Sequence, residues 1–266
     1  EASKFADLWL APKQGTDAAL GMALGHVILT EYHRDRQTPY FREYIRKYTD
    51  LPLLVRLTPQ DDGFVPEQLL RAADFDGALN ESNNPDWKTV ALDEKSGEIV
   101  VPNGSIGFRW GEDGRWNLEE RDAKGAETEL RLGLKGVEDD VVKVRFPYFA
   151  NTASNGFAST NHPSVLVRNI PVKKIKLASG EEALVACVYD LLMANYGVDQ
   201  GYSGEHLAGS YNDMEPYTPA WAEAITSVTR ENIIATARAF ATNAEKTRGK
   251  SMVIIGAGMN HWYHMD

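Results

Sequence analysis

Five residues close to the end of the chain constrain its fold more than any other feature. Ser251-Met252-Val253-Ile254-Ile255 is a short, almost unbroken apolar run, and Gly256-Ala257-Gly258 follows it. A strand with no polar face must be covered on both sides, which places it in the middle of a parallel sheet. The helix before it is well marked. Thr229 is a good N-cap, and Glu231 suits the positive end of the helix dipole. Ile233, Ile234, Ala237, Phe240 and Ala241 fall on one face of a helix over residues 230–243. Helix, strand and glycine pair is the cadence of a nucleotide-binding α/β unit. The glycine pair alone is a weak signal, since the third glycine of a dinucleotide fingerprint is missing.

The chain opens in a similar way. Ala6-Asp7-Leu8-Trp9-Leu10 reads as a strand and Lys13-Gln14-Gly15-Thr16-Asp17 as a turn. Residues 18–32 then carry helical periodicity, with Asp17 at the N-cap position. Gly21 and Gly25, four apart, share a helix face that another element can approach closely. A second short helix covers residues 40–48. Between these ends, residues 49–176 break into short β-like runs punctuated by turns such as Asn83-Asn84-Pro85, Pro102-Asn103-Gly104 and Glu112-Asp113-Gly114. Strands are expected at 87–90, 98–101, 106–110 and 127–132, a helix at 68–79, and a polar loop at 151–163. Residues 165–177 look extended. Residues 183–196 read as one helix ending at Gly197, and a short helix begins at Pro219. The expected fold is α/β, a parallel sheet with flanking helices interrupted by an irregular β-rich insertion. Its three stretches are residues 1–48, 49–176 and 177–266.

Composition removes several classes of function. The 28 basic residues are outnumbered by 38 acidic ones, for a formal charge of −10. Such a chain is repelled by nucleic acid and by anionic membrane surfaces. No apolar run is long enough to span a membrane. The single cysteine, Cys187, excludes an internal disulfide framework and a complete iron–sulfur ligand set within these 266 residues. The chain starts just before a strand and stops just after one, so a piece of a longer protein is expected.

Two constellations can carry chemistry. In the turn before the first helix, Gly15 lets a ligand approach the backbone. The Asp17 carboxylate could accept paired hydrogen bonds from a guanine edge. The plain alternative makes Asp17 a cap and Gly15 a turn residue. The second constellation is Gly258-Met259-Asn260-His261-Trp262-Tyr263-His264. So many polar groups at the end of a buried strand need a ligand or a network to satisfy them. Three readings stay open there: histidines satisfied by packing, a pocket lining, or a metal site using His261 and His264. His26 and His33 read as structural or solvated, and Trp87, Trp110 and Trp116 as packing. No nucleophile elbow and no Walker loop is present.

These residues also carry a family resemblance. The segment Ala6-Asp7-Leu8-Trp9-Leu10-Ala11-Pro12-Lys13-Gln14-Gly15-Thr16-Asp17 resembles the guanine-dinucleotide loop of molybdopterin oxidoreductases of the dimethyl-sulfoxide-reductase family. More narrowly, Asn83-Asn84-Pro85-Asp86-Trp87, Pro102-Asn103-Gly104-Ser105-Ile106-Gly107-Phe108-Arg109-Trp110, Phe146-Pro147-Tyr148-Phe149 and Asn260-His261-Trp262-Tyr263-His264 are similar to the catalytic-subunit branch of the membrane-bound respiratory nitrate reductases.

The resemblance implies a molybdenum bis(molybdopterin guanine dinucleotide) cofactor and the reduction of nitrate to nitrite in anaerobic respiration. It implies a 4Fe-4S cluster whose ligands lie outside this segment, an iron–sulfur beta subunit, and a haem-bearing membrane gamma subunit. Membrane association then runs through those partners, on the cytoplasmic face of a bacterial inner membrane, with no direct insertion. Gln14, Gly15, Thr16 and Asp17 would contact a guanosine end. Gly258, Met259, Asn260 and His261 would line the pocket near the metal, with Asn260 and His261 in the catalytic positions. The family's metal-ligating aspartate and cluster ligands precede the stretch seen here, so the segment alone is expected to be inactive. The alternatives are a sibling molybdenum reductase for selenate, chlorate or a sulfoxide, and a non-catalytic nucleotide-binding or interaction module.

Overall fold

In the computed structural model the described residues are 4–104, 119–122, 124–148 and 164–256. Tight hairpins decide its topology. Strands β1 (Leu54–Gln60) and β2 (Gly63–Leu69) are joined by only Asp61 and Asp62, with Gln60 paired to Gly63. Only an antiparallel pair can use so short a connection. Two-stranded ribbons follow, β3 (Ala91–Leu92) with β4 (Ile99–Val100) and β5 (Pro102–Asn103) with β6 (Glu119–Asp122). The longest pairing joins β7 (Asp140–Tyr148) to β8 (Ser164–Lys176), and β8 turns back through Ser179-Gly180 into β9 (Glu182–Cys187). Strand β9 also pairs with β1, so β1, β2, β7, β8 and β9 close into a barrel. Its one parallel contact is Phe64 of β2 against Val144 of β7.

The fold is therefore mixed α/β. Among the described residues the sheet is a mostly antiparallel barrel, where the sequence predicted a parallel sheet. The barrel interior draws on every strand: Val55 and Leu57, Phe64, Val144 and Phe146, Leu166 and Ile170, and Ala186. Helix α3 (Val188–Asn195) contributes Leu191 and Ala194 to the same cluster. The other face of β1 and β9, with Leu54, Val185 and Cys187, is covered by the irregular segments carrying Leu70, Val90, Val101 and Leu134.

The remaining helices form a separate layer. Helix α1 (Asp17–Ile28) runs into a π-helical turn, Leu29–Asp35, and α2 (Pro39–Tyr48) follows. Helices α4 (Pro219–Thr226) and α5 (Arg230–Thr247) pack on α1 through Ala19, Ala23, Trp221, Ala222 and Ile233. Thr218 and Thr229 cap α4 and α5, accepting from the N–H groups of Trp221 and Asn232. Gly25 takes the close approach expected of it: a Cβ there would lie 2.5 Å from Cε1 of Tyr196, whereas at Gly21 it would meet nothing.

Several expectations are corrected. Residues 6–10 and 251–255 form no strand, and no ladder partner reaches them among the described residues. Most of their apolar side chains are exposed, Trp9 to 74% and Ile254 to 81%, while Leu10 packs against the cluster of α1, α4 and α5. Residues 183–187 are strand β9, and only the second half of the predicted 183–196 helix is helical, because β9 bonds to a strand on each side. Residues 68–79 hold the end of β2 and two short 3-10 turns, since the N–H of Leu70 is claimed by the Leu54 carbonyl. Thr89 and Leu130 make single bridges, to Arg71 and Asp93, and start no longer strands. The predicted strand 106–110 and loop 151–163 lie outside the described residues.

Candidate functional site

The Lys13–Asp17 turn is built as the sequence suggests, with one change. Gly15 sits at φ +75°, and nothing lies within 4 Å of the place a Cβ would take. The Thr16 hydroxyl donates back to the Lys13 carbonyl at 2.5 Å, closing the turn. The Lys13 N–H donates to the Thr226 carbonyl at 2.9 Å, which seats the turn on the C-terminal end of α4.

Thr16, and not Asp17, occupies the N-cap position of α1, and its side chain makes no capping bond. Having bonded to Lys13, the hydroxyl is turned away from the helix. Asp17 is the first helical residue. Its half-buried carboxylate forms no hydrogen bond or ion pair among the described residues. The capping role anticipated for Asp17 is thereby removed. What is left is an uncapped helix N-terminus, an acceptor-only side chain free for a donor edge, and a glycine that leaves the approach open. This donor and acceptor set fits a guanine nucleotide: the carboxylate for the base, the bare helix N–H groups for an anionic group. Gln14 is exposed beside it. Gly258, Met259, Asn260, His261 and His264 lie outside the described residues.

The histidines next to this layer are buried. His26 Nδ1 lies 2.7 Å from the Tyr196 carbonyl, which can only accept, so Nδ1 carries the proton. Burial, aided by the nearby charge of Arg168 and Arg34, pushes the His26 pKa down to about 4. Burial does the same to His33, also to about 4, where the ring packs edge-on against Phe41 at 5.2 Å. Both are therefore neutral at pH 7. Cys187 is buried, donates its S–H to the Leu51 carbonyl at 3.1 Å, and has its thiol pushed up to about 12 by burial, so it is unreactive.

Sequence reasoning missed a second group of polar residues. Asp190, on α3 in an otherwise apolar stretch, is almost fully buried, and burial pushes its carboxyl up to about 7. With His33, Arg34, Arg42, Glu94, Arg131 and Lys135 it lines a cavity of about 350 Å³. The signal was a lone acid inside a helical apolar pattern. Among the described residues, no group of three His, Cys, Asp or Glu side chains could hold a metal ion, and no helix is long and apolar enough to cross a membrane.

Known proteins resemble the chain along its whole length. The respiratory nitrate reductase 2 and 1 alpha chains of Escherichia coli are 56% and 54% identical to it over 267 aligned residues, covering 100% of this chain and 21% of each relative. The nitrate reductase alpha chain of Bacillus subtilis is 43% identical over the same span. The chain thus spans about a fifth of the length of these relatives. The family described as molybdopterin oxidoreductase matches residues 1–266, and the chain belongs to that family.

Proposed function

We propose that this chain is a cofactor-binding segment of the catalytic subunit of a respiratory nitrate reductase. The observation that carries the reading is end-to-end similarity, above half identity, to two respiratory nitrate reductase alpha chains. The free Asp17 carboxylate at an open turn supports it from the structural side. In this reading Gln14, Gly15, Thr16 and Asp17 hold one guanosine end of a bis(molybdopterin guanine dinucleotide). Asp17 accepts from the guanine edge, and the α1 N-terminus faces a phosphate.

When bound, the molybdenum centre supplies the two-electron chemistry that turns nitrate into nitrite and water. The protein's part is positioning and proton supply. Gly258 and Met259 belong to the cofactor-binding set in this reading. Asn260 orients nitrate by hydrogen bonding, and His261 holds one of the protons the reduction consumes at a ring nitrogen. The three-stretch organisation belongs to the same proposal. Residues 1–48 carry the cofactor turn, 49–176 the family-specific β-rich stretch, and 177–266 the segment leading to the pocket loop. The exposed side chains of Leu8, Trp9, Met252, Val253, Ile254 and Ile255 are covered by the rest of the longer subunit, since this chain spans about a fifth of the length of its relatives. Covering each large apolar side chain there is worth about 1.5–3 kcal/mol. A 4Fe-4S cluster held elsewhere in that chain, an iron–sulfur subunit and a haem-bearing membrane subunit deliver electrons on the cytoplasmic face.

Asp17→Asn in the full-length enzyme tests the reading. It sets an amide N–H against a guanine N–H, a mismatch of about 1–3 kcal/mol. Molybdenum and guanine content should fall together while the protein stays folded. Unchanged content overturns the assignment of Asp17.

A further inference from the structure

The cavity of about 350 Å³ shares no lining residue with the cofactor turn. It opens between the π-helical turn, α2 and the start of α3, and its walls carry Arg34, Arg42, Arg131 and Lys135 against Glu94 and Asp190. That excess of cations is notable in a chain of net charge −10. A cleft lined mainly by one sign of charge concentrates the opposite ion.

The lining cations are not all spent. Arg34 is taken by Asp35 at 2.7 Å. Glu94 is shared between Arg42 at 3.9 Å, Arg131 at 3.6 Å and Arg46 at 3.1 Å; Arg46 lies behind the wall and also holds Glu120 and Glu129. Lys135 has no ion-pair partner among the described residues, and its Nζ donates to the Gln200 carbonyl.

Asp190 gives an independent pointer. It is 1% exposed and lines the cavity. Oδ2 accepts from the Leu134 N–H at 2.7 Å, while Oδ1 meets no donor in hydrogen-bond geometry and the nearby Gln200 side chain favours the charged form of the carboxyl. Buried polar atoms are almost always bonded, so an orphaned oxygen in a polar wall marks the place of a ligand group. The π-helical turn that presents His33 and Arg34 is a rare element which recurs at functional sites.

We propose that this cavity is an anion site that takes a phosphate group, free or as a monoester, with Arg42 and Lys135 facing its oxygens, the Asp190 carboxyl donating to one of them, and Arg131, held by the carbonyls of Gly133 and Lys135, adding its charge from the wall. Burial has already brought Asp190 to about 7. A neighbouring anion favours the protonated form further, so the orphaned oxygen gains both a proton and an acceptor. The volume exceeds what bare phosphate needs and leaves room for a small ester group.

Equilibrium dialysis of the full-length protein with radiolabelled inorganic phosphate, at fixed ionic strength, tests this. One saturable site per chain is expected. Arg42→Gln with Lys135→Gln should weaken it about tenfold or more, because charge-assisted bonds are the strong ones. Both side chains reach solvent, and hydrogen exchange verifies that the variant is folded. Asp190→Asn keeps a donor and should retain binding. In competition, a sugar phosphate that displaces the label better than unlabelled phosphate identifies a monoester site, and the reverse order a free-phosphate site. Absence of a saturable site, or unchanged affinity in the folded double variant, overturns the proposal. Loss of binding in a folded Asp190→Asn protein overturns the donor role of Asp190. None of these readouts uses nitrate reduction, so they stand apart from the reading of the cofactor turn.

Discussion

Arg238 of α5 grips Glu31 of the π-helical turn from the side. Its Nε lies 3.0 Å from both carboxylate oxygens and its Nη2 2.7 Å from Oε1, while the Tyr211 hydroxyl donates to Oε1 at 3.1 Å. The residues are 207 positions apart in sequence. The pair ties the first helical layer to the last and holds the turn in its widened form. Burial alone would raise the Glu31 pKa, but the bonds from Arg238 and Tyr211 outweigh it and hold the carboxyl below its ordinary value.

Breaking this pair should loosen the turn. Arg238 is half exposed, so solvent screens the interaction, and Arg238→Ala should cost about 1 kcal/mol of local stability. Hydrogen exchange in residues 28–36 of the full-length protein checks it. The sign with pH is fixed: a depressed carboxylate stabilises the fold above its unfolded pKa and loses that contribution as acid protonates it. Protection in this segment should therefore fall below pH about 4.5 in the parent and change less in Glu31→Gln. Equal acid sensitivity in both proteins counts against the role of the pair.

His26 and His33 act in a neighbouring pH window. Their folded pKa values, about 4, lie below the unfolded value of 6.5. The unfolded chain binds protons first, so stability is fully present above pH 6.5 and is lost as pH falls toward 4. A shift of this size is worth at most about 3 kcal/mol per histidine. His33→Phe keeps an aromatic ring against Phe41 and removes the titration. It should flatten the acid loss of protection in residues 29–41, and an unaltered pH profile would falsify the assignment.

What was legible in the sequence follows from local chemistry. Thr229 announces α5 because a cap is a contact between residues three apart, and Pro219 marks the first residue of α4 because its fixed φ suits a helix start. The Gly15 turn was readable for the same reason. Strand β9 was not, because Ala183, Val185 and Cys187 face one core while Leu184 and Ala186 face another, so the run is apolar at every period. The one local mark of the strand is the Ser179-Gly180 turn between β8 and β9. Asp17 was misplaced by one position because the bond from the Thr16 hydroxyl to Lys13 competes with capping. The cavity around Asp190 could not be read at all. Its walls come from positions 33 to 200, and only the closed barrel and helical layer bring them together.

Asp190 titrates in the opposite sense to the histidines. Its folded pKa, about 7, is raised from 3.8 by burial. The folded chain binds the proton more tightly, so its contribution is present at low pH and is lost as pH rises toward 7. Between pH about 4 and 7, the window bounded by the unfolded and folded values, protection in residues 132–137 and 188–192 should decline after correction for intrinsic exchange, and it should level off above 7. Asp190→Asn can still accept from the Leu134 N–H and should abolish that decline. A decline that persists in the variant assigns it to another group.

Arg168 offers the largest expected effect. It lies on β8 between Leu166 and Ile170, on the face that lines the barrel, and is 1% exposed. Its guanidinium donates to the carbonyls of Ala194 and Asn195 at the end of α3, and to those of Glu205 and His206, with Nε 2.9 Å from Glu205 and Nη2 2.8 Å from His206. Burial draws its pKa down to about 10, still charged at neutral pH. One planar fork thus closes the end of the barrel and supplies donors to the last carbonyls of α3. Arg168→Met fills much of the volume but takes the guanidinium donors from four carbonyls, of which that of Ala194 keeps the Gly197 N–H at 3.1 Å, at a cost of about 3–5 kcal/mol. Arg168→Lys keeps the charge yet cannot reach acceptors on both sides, so it should restore less than half of that loss. Hydrogen exchange across residues 192–206 reads both variants. If Arg168→Lys protects that segment as well as arginine does, charge alone and not the fork holds this end of the barrel.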